Sequence, residues 1–233
     1  MTRPAVERLA IPGLLVVRLA VHEDARGWFE ESWQRETMVA LGVPDFGPVQ
    51  GNLCFSARRG VTRGIHAEPW DKLVTVAAGA VFAVWVDLRA GRGFGRTCRV
   101  ELRPGVAVFV PRGVGNGYQA LEDGTAYSYL VNDHWRAGVD YPAVALDDPA
   151  LGIDWPVDLA AAEISAKDRA NPSLHDAGPV APRRVLVTGA RGQLGRALAA
   201  EFTGADLADR DELDLTDDRA LAAWPWADYD VVL

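Results

Sequence analysis

Cysteine and histidine are scarce in this chain. Its 233 residues include two cysteines, Cys54 and Cys98, far apart and with no CxxC pair. Such usage gives no disulfide framework and points to a cytoplasmic protein with reduced thiols. The four histidines, His22, His66, His134 and His175, form no closely spaced pair. A multi-histidine metal site is therefore not expected, and the expected metal complement is none. Positive charge is also in deficit, with 24 Lys and Arg against 32 Asp and Glu and a net charge of −8. A nucleic-acid-binding surface is normally basic, so the charge argues against that class. Local arginines can still receive a phosphate-bearing ligand. Long hydrophobic runs are missing, and nothing approaches the roughly 20 apolar residues of a membrane helix. The N-terminus, MTRPAVERLAIPG, lacks the basic start and apolar run of a signal peptide. No internal repeat or low-complexity tract occurs.

What is present is an ordinary globular composition, 49% hydrophobic and 24% charged. It suits one large domain, or one domain plus a fragment. Near the N-terminus, LLVVRLAV reads as a strand, DARG as a turn and WFEESW as an amphipathic edge segment. WQRETMVALGV carries a short helical pattern ended by Gly42 and Pro44. From Val49 the chain reads as β throughout: VQGNLCFS, KLVTVAAG, AVFAVWVDLR, TCRVELRPG, VAVFVPRG, GYQALEDG and TAYSYLVND. Gly, Pro, Asn and Asp separate these runs at turn-like intervals, the pattern of a β-sandwich or barrel. RPGVAVFVPRG reads as a hairpin followed by a strand ending at Pro111. After Asp133 the pattern loosens into a Trp-, Pro- and Asp-rich stretch that suits an irregular cover on the sandwich.

The chemistry concentrates between Gly60 and Asp87, GVTRGIHAEPWDKLVTVAAGAVFAVWVD. Arg63 and His66 stand at a strand end, and Lys72 opens the next strand. A base and two cations beside a dry β interior can abstract a proton next to a carbonyl and hold the enolate. Taken alone, the stretch also permits a merely hydrogen-bonded histidine and a solvated Lys72.

Residues 176–184, DAGPVAPRR, have linker composition. RRVLVTGARGQLGRALAAEF then reads as a strand, a glycine-rich turn and an amphipathic helix. Gly189, Gly192 and Gly195 give GxxGxxG, whose backbone can approach a pyrophosphate at a helix N-terminus. ADLADRDELDLTD and ADYDVVL read as further β elements of a doubly wound fold. The expected division is residues 1–178, a linker over 179–183, and an incomplete Rossmann-like fragment over 184–233. About fifty residues do not make a full cofactor site. NAD(P)H is expected only for a complete reductase domain.

The motifs DARGWFEES, VQGN, GVTRGIH, DKLVTV, VFAVWVDLR, VPRGVGNGY, YSYLVND, DDPALGIDWP and ISAKD together resemble the dTDP-4-dehydrorhamnose 3,5-epimerases. These are metal-free, homodimeric cupin jelly rolls. The resemblance covers about 175 residues. The tail from Arg184 resembles the start of dTDP-4-dehydrorhamnose reductase, an extended short-chain dehydrogenase, so the whole looks like an epimerase–reductase fusion cut off early in its second half. The fold implied is a mainly β cupin jelly roll followed by a Rossmann-like fragment. The activity implied is inversion of C3, C5 or both in a dTDP-4-keto-6-deoxyhexose, with no cofactor.

By this resemblance His66 is the general base and Asp168 the carboxylate that orients it. Lys72 stabilises the enolate, and Tyr129 returns a proton from the opposite face. Arg26, Glu31, Gln50, Asn52, Arg63 and Lys167 match nucleotide-sugar-binding positions. Phe29 matches a residue that reaches a nucleotide across the dimer, and Trp135 one that stacks on thymine. Two positions depart from the family pattern. Asn116 stands where the family usually has His, and Asp140 where it has Glu. Two other classes stand beside this reading: a non-catalytic nucleotide-sugar-binding cupin, and an NAD(P)H-dependent reductase.

Overall fold

A computed structural model describes residues 4–233. The chain forms two compact units, the first ending at Val180 and the second beginning at Ala181. The boundary lies two residues past the expected end of the first domain. The reason is local: Val180 is buried, and its N–H donates to the Leu88 carbonyl at 2.6 Å.

The first unit is built on twelve strands. They are β1 (Ala5–Arg8), β2 (Leu15–Arg18), β3 (Val21–Asp24), β4 (Gly27–Glu30), β5 (Gln50–Ser56) and β6 (Thr62–His66), then β7 (Lys72–Ala78), β8 (Val81–Asp87), β9 (Thr97–Leu102), β10 (Val106–Val110), β11 (Val114–Ala120) and β12 (Thr125–Val131). One antiparallel sheet has the order β1-β2-β10-β7-β12-β5, the other β6-β11-β8-β9. β3 and β4 form a separate hairpin. From β5 to β12 the chain changes sheet at every connection except β8–β9, the jelly-roll arrangement.

Two expectations are corrected. The LLVVRLAV run is broken, because β2 stops at Arg18 and the chain re-enters extended structure as β3 at Val21. Leu19 turns into the core, and its N–H bonds the Gly105 carbonyl at 2.9 Å. RPG is not a hairpin turn. β9 pairs with β8, whereas β10 pairs with β2 and β7, so Arg103–Gly105 is a corner between sheets. The Val106 N–H closes that corner on the Arg103 carbonyl at 3.1 Å.

The central strands of both sheets are covered on both faces, which explains why they read as nearly continuous apolar runs. Between the sheets lie Val74, Val76, Val81, Trp85, Leu102, Val108 and Tyr127. Outside the six-stranded sheet, Leu15, Val17, Leu73 and Phe109 meet Met38 of helix α1 (Arg35–Ala40). Outside the four-stranded sheet, Ile65, Val84 and Val86 pack under Val144, Leu146 and Leu151 of the irregular cover. Two short helices follow, α2 (Ala166–Arg169) and α3 (Leu174–Ala177).

The second unit is a three-stranded parallel sheet of order β14-β13-β15, from β13 (Val185–Thr188), β14 (Asp206–Ala208) and β15 (Val231–Val232). Helices α4 (Gln193–Glu201) and α5 (Asp218–Ala223) accompany it. Of the expected β element ADLADRDELDLTD, only Asp206–Ala208 is strand before the chain turns. No helix among the described residues is long and apolar enough to cross a membrane.

One glycine contact fixes how β6 meets β11. Gly64 has φ +117°, and a Cβ there would lie 2.6 Å from the Gly117 Cα. Neither strand can move aside without breaking the ladder. Gly64→Ala is expected to cost about 2–4 kcal/mol through backbone strain and overpacking. Thermal unfolding of the variant against the wild type checks this.

Candidate active site

β6 brings Arg63 and His66 to the wall of one cavity, His66 half-buried and Arg63 exposed. Its C-terminal end is held on two sides. His66 pairs with Asn116 of β11, and the Ala67 N–H bonds the Pro142 carbonyl at 2.8 Å. In β11, Gly115 and Gly117 leave room for Ile65, since a Cβ on either would approach the Ile65 side chain within 3 Å. Asn116, between them, turns the other way and lines the cavity. From the facing sheet come Lys72 at the start of β7 and Tyr127 and Tyr129 on β12.

These side chains enclose a cavity of about 250 Å³ together with Cys54, Glu68, Tyr118, Ser165 and Asp168. His66 Nε2 lies 2.8 Å from Asp168 Oδ1. The Gly64 N–H donates to the other carboxylate oxygen of Asp168 at 3.3 Å. Ser165 caps α2 by accepting from the Asp168 N–H at 3.0 Å, which sets this carboxylate in the first turn. Burial pushes the Asp168 carboxyl up, but the His66 ring, the Gly64 N–H and Ser165 together hold it below its ordinary value.

Lys72 is not a solvated strand start. It is 4% exposed, and its ammonium touches the Glu68 carboxylate. The ammonium also lies 5.7 Å from the centre of the Tyr129 ring. Tyr118 and Tyr127 stack with ring centres 4.1 Å apart. The Tyr127 hydroxyl donates to Asn116 Oδ1 at 2.9 Å. Burial, first among the causes, pushes the Tyr118 phenol up to about 12 and raises those of Tyr127 and Tyr129 as well. All three are therefore protonated at neutral pH, and Tyr129 is only half-buried.

The cavity thus brings together Arg63, His66, Lys72, Asn116, Tyr129 and Asp168 of the sequence-predicted set. The other expected binding residues lie outside it. Arg26 and Phe29 sit on the β3–β4 hairpin, with Phe29 67% exposed, and Glu31 follows it on the surface. Gln50 and Asn52 on β5 bond to each other at 2.8 Å, and Gln50 also accepts from the Trp135 N–H at 3.1 Å. Trp135, Asp140 and Lys167 are exposed. Sequence reasoning missed Glu68, Tyr118, Tyr127, Cys54 and Ser165. Glu68 stands four residues before Lys72 in HAEPWDK, a visible charge pairing. Ser165 before AKD is a readable helix cap. Nothing in the sequence pointed to the tyrosine stack.

In the second unit, Gly189 ends β13 in a left-handed turn with φ +58°, and Gly192 caps α4. A Cβ on Gly195 would lie 2.2 Å from the Gly189 carbonyl oxygen, so the helix can rest on the turn only with glycine there. Among the described residues, no group of three or more His, Cys, Asp or Glu is placed to hold a metal ion.

The fold and cavity define a class: a jelly roll whose interior gathers a paired histidine and carboxylate, a lysine and protonated phenols. The comparisons narrow that class. A family model for dTDP-4-dehydrorhamnose 3,5-epimerase matches residues 8–176, and the chain belongs to that family. A Streptococcus pyogenes protein called an RmlC homolog is 46% identical over 180 residues, covering 74% of this chain and 90% of its own. The structure of RmlC from Streptococcus suis in complex with dTDP-D-xylose superposes with a TM-score of 0.74 at 46% identity. It covers 77% of this chain and 96% of that one. The epimerase from Legionella pneumophila, in complex with dTDP-4-keto-L-rhamnose, superposes with a TM-score of 0.69 at 29% identity, over 76% of this chain and 98% of that one.

Asp168 binds protons more weakly in the folded protein than in the unfolded chain, where its pKa is about 3.9. Its stabilising contribution is therefore fully present above that value and is lost as pH falls through the lower folded value. Asp168→Asn is expected to be about 1–3 kcal/mol less stable than wild type at neutral pH. The gap should close in strong acid. Thermal unfolding of both proteins across the acid range measures it.

Proposed function

We propose that the first unit epimerises a dTDP-4-keto-6-deoxyhexose next to its C4 ketone. The observation that carries this reading is that His66 and Tyr129 reach one cavity from opposite sheets, with Lys72 beside the phenol. His66, oriented by Asp168, removes the proton on carbon adjacent to the ketone. Lys72 and the Asn116 amide are the donors available to the enolate oxygen. Tyr129, a neutral phenol, returns a proton to the other face, and the carbon centre inverts. The transfers balance within the protein and solvent, so no metal or organic cofactor enters the scheme. Arg63 reaches the cavity, while Arg26, Glu31, Gln50, Asn52, Trp135, Asp140 and Lys167 serve the nucleotide and diphosphate outside it.

A second copy of the chain is the proposed partner. β5 is an edge strand, and its Leu53 and Phe55 are 67% and 64% exposed. Trp28 and Phe29 add exposed aromatic surface on the β3–β4 hairpin. An edge strand with apolar side chains outward pairs readily with another chain. In this assembly Phe29 reaches the partner's nucleotide. For the second unit we infer a relation to the dinucleotide-binding, reductase-like folds. The strand, glycine turn and helix over Val185–Glu201 support it, and in this reading Gly189, Gly192 and Gly195 form the turn that a pyrophosphate approaches.

Proton exchange in heavy water tests the chemistry. Wild type is expected to introduce deuterium at C3, C5 or both, read by NMR with a coupled dehydratase supplying the keto sugar. The labelled positions report which centres are inverted. His66→Ala should slow exchange by about 10²–10⁴-fold. Full activity in that variant would remove the proposed base.

Light scattering tests the assembly. Wild type is expected to run as a dimer, and Leu53→Glu combined with Phe55→Glu as a monomer. A monomeric wild type would remove the proposed partner.

A further inference from the structure

Lys72 shares its end of the cavity with a carboxylate. Glu68 lies on the loop between β6 and β7, four residues before Lys72, and its Oε2 touches the Lys72 ammonium. Both side chains are largely withdrawn from water, at 15% and 5% exposure. The loop that carries Glu68 is pinned on both sides. Before it, the Ala67 N–H bonds the Pro142 carbonyl at 2.8 Å. After it, Trp70 is 3% exposed and packs edge-on against Tyr141 with ring centres 5.0 Å apart. The Asp71 N–H bonds Asn132 Oδ1 at 2.9 Å, and the Arg112 N–H bonds Asp71 Oδ1 at 2.8 Å. The carboxylate is therefore presented by a fixed backbone.

An ammonium taken out of water stays charged only beside an opposite charge. It carries three donors, and one carboxylate oxygen engages one of them. The others remain for the cavity. We propose that Glu68 is a positioning residue of this site: its carboxylate fixes Lys72 as a charged donor beside Tyr129, aimed where the enolate oxygen forms. The inference rests on the epimerase reading and adds to it a residue that acts through Lys72 without touching the reacting carbons. Glu68 has a second effect in the same place. After burial and Cys54, its charge also raises the Tyr129 phenol.

A double-mutant cycle in the full chain tests the proposal, using kcat and KM for deuterium exchange into the keto sugar. Glu68→Gln is expected to lower kcat by about 10²–10³-fold, the scale of one lost oxyanion donor. KM should stay within about twofold, because the donor acts on the transition state alone. In a Lys72→Met background the same change should cost less than about twofold, since the residue it positions is gone. Thermal unfolding and calorimetric binding of dTDP verify that each variant is folded. Should Glu68→Gln melt early, Glu68→Asp keeps the charge and is expected to exchange faster than Lys72→Met. Wild-type kcat in Glu68→Gln, an equal further loss in the Lys72→Met background, or a Glu68→Asp variant as slow as Lys72→Met would each overturn the proposal and leave the epimerase reading intact. A wild-type protein that exchanges no deuterium would overturn both.

Discussion

The structure of the site depends on one carboxylate. Asp168 holds the His66 ring through one oxygen and the Gly64 N–H through the other. It thereby joins a short helix far along the chain to the strand that carries the histidine. Left without these partners, a carboxylate 6% exposed would be costly to bury. With them it is stabilised in its charged form, and it fixes both the position and the hydrogen bonding of the imidazole. Ser165 completes the arrangement by capping the helix at the Asp168 N–H.

The jelly roll contributes a second constraint. Because the chain changes sheet at almost every connection, residues near in sequence land on opposite walls. His66 and Lys72 are six positions apart, yet one belongs to the four-stranded sheet and the other to the six-stranded sheet. Inverting a carbon centre needs a base on one face and an acid on the other. In the proposed reading the two walls of the sandwich each supply one of them, without moving the backbone. The apolar packing between the sheets also buries the tyrosines, and that burial raises their phenols further above their ordinary value.

Much of this was legible in the sequence, for identifiable reasons. The strands from Gln50 to Val131 announce themselves through β-branched and aromatic runs cut by Gly, Pro and Asp. His66 and Lys72 stand at strand ends, where polar groups meet an interior. Connectivity was not legible in the same way. RPG looks like a hairpin turn, and only the pairing of β9 with β8 and of β10 with β2 and β7 shows it to be a corner. Asp168 reads in isolation as one charge in a solvated segment. Its burial follows from the cover folding back over β6, a contact 102 residues long in sequence. The stack of Tyr118 on Tyr127 is hidden for the same reason, since β11 and β12 lie in different sheets.

The size and charge of the cavity bear on why the proposed binding residues lie elsewhere. About 250 Å³ is below the 300–1,000 Å³ usual for a pocket that encloses a whole drug-sized ligand. In the proposed reading it receives the hexose alone. Its charged groups also nearly cancel, with Lys72 against Glu68 and Arg63 against Asp168. A diphosphate placed inside would find no net cation and would lose its hydration. Outside, Arg26 and Lys167 are solvated, and Phe29 and Trp135 present bare aromatic faces. Such groups can hold a diphosphate and a base while they stay in water, where the cost of desolvation is small. In that reading the reacting sugar enters the cavity and the charged nucleotide stays at the rim.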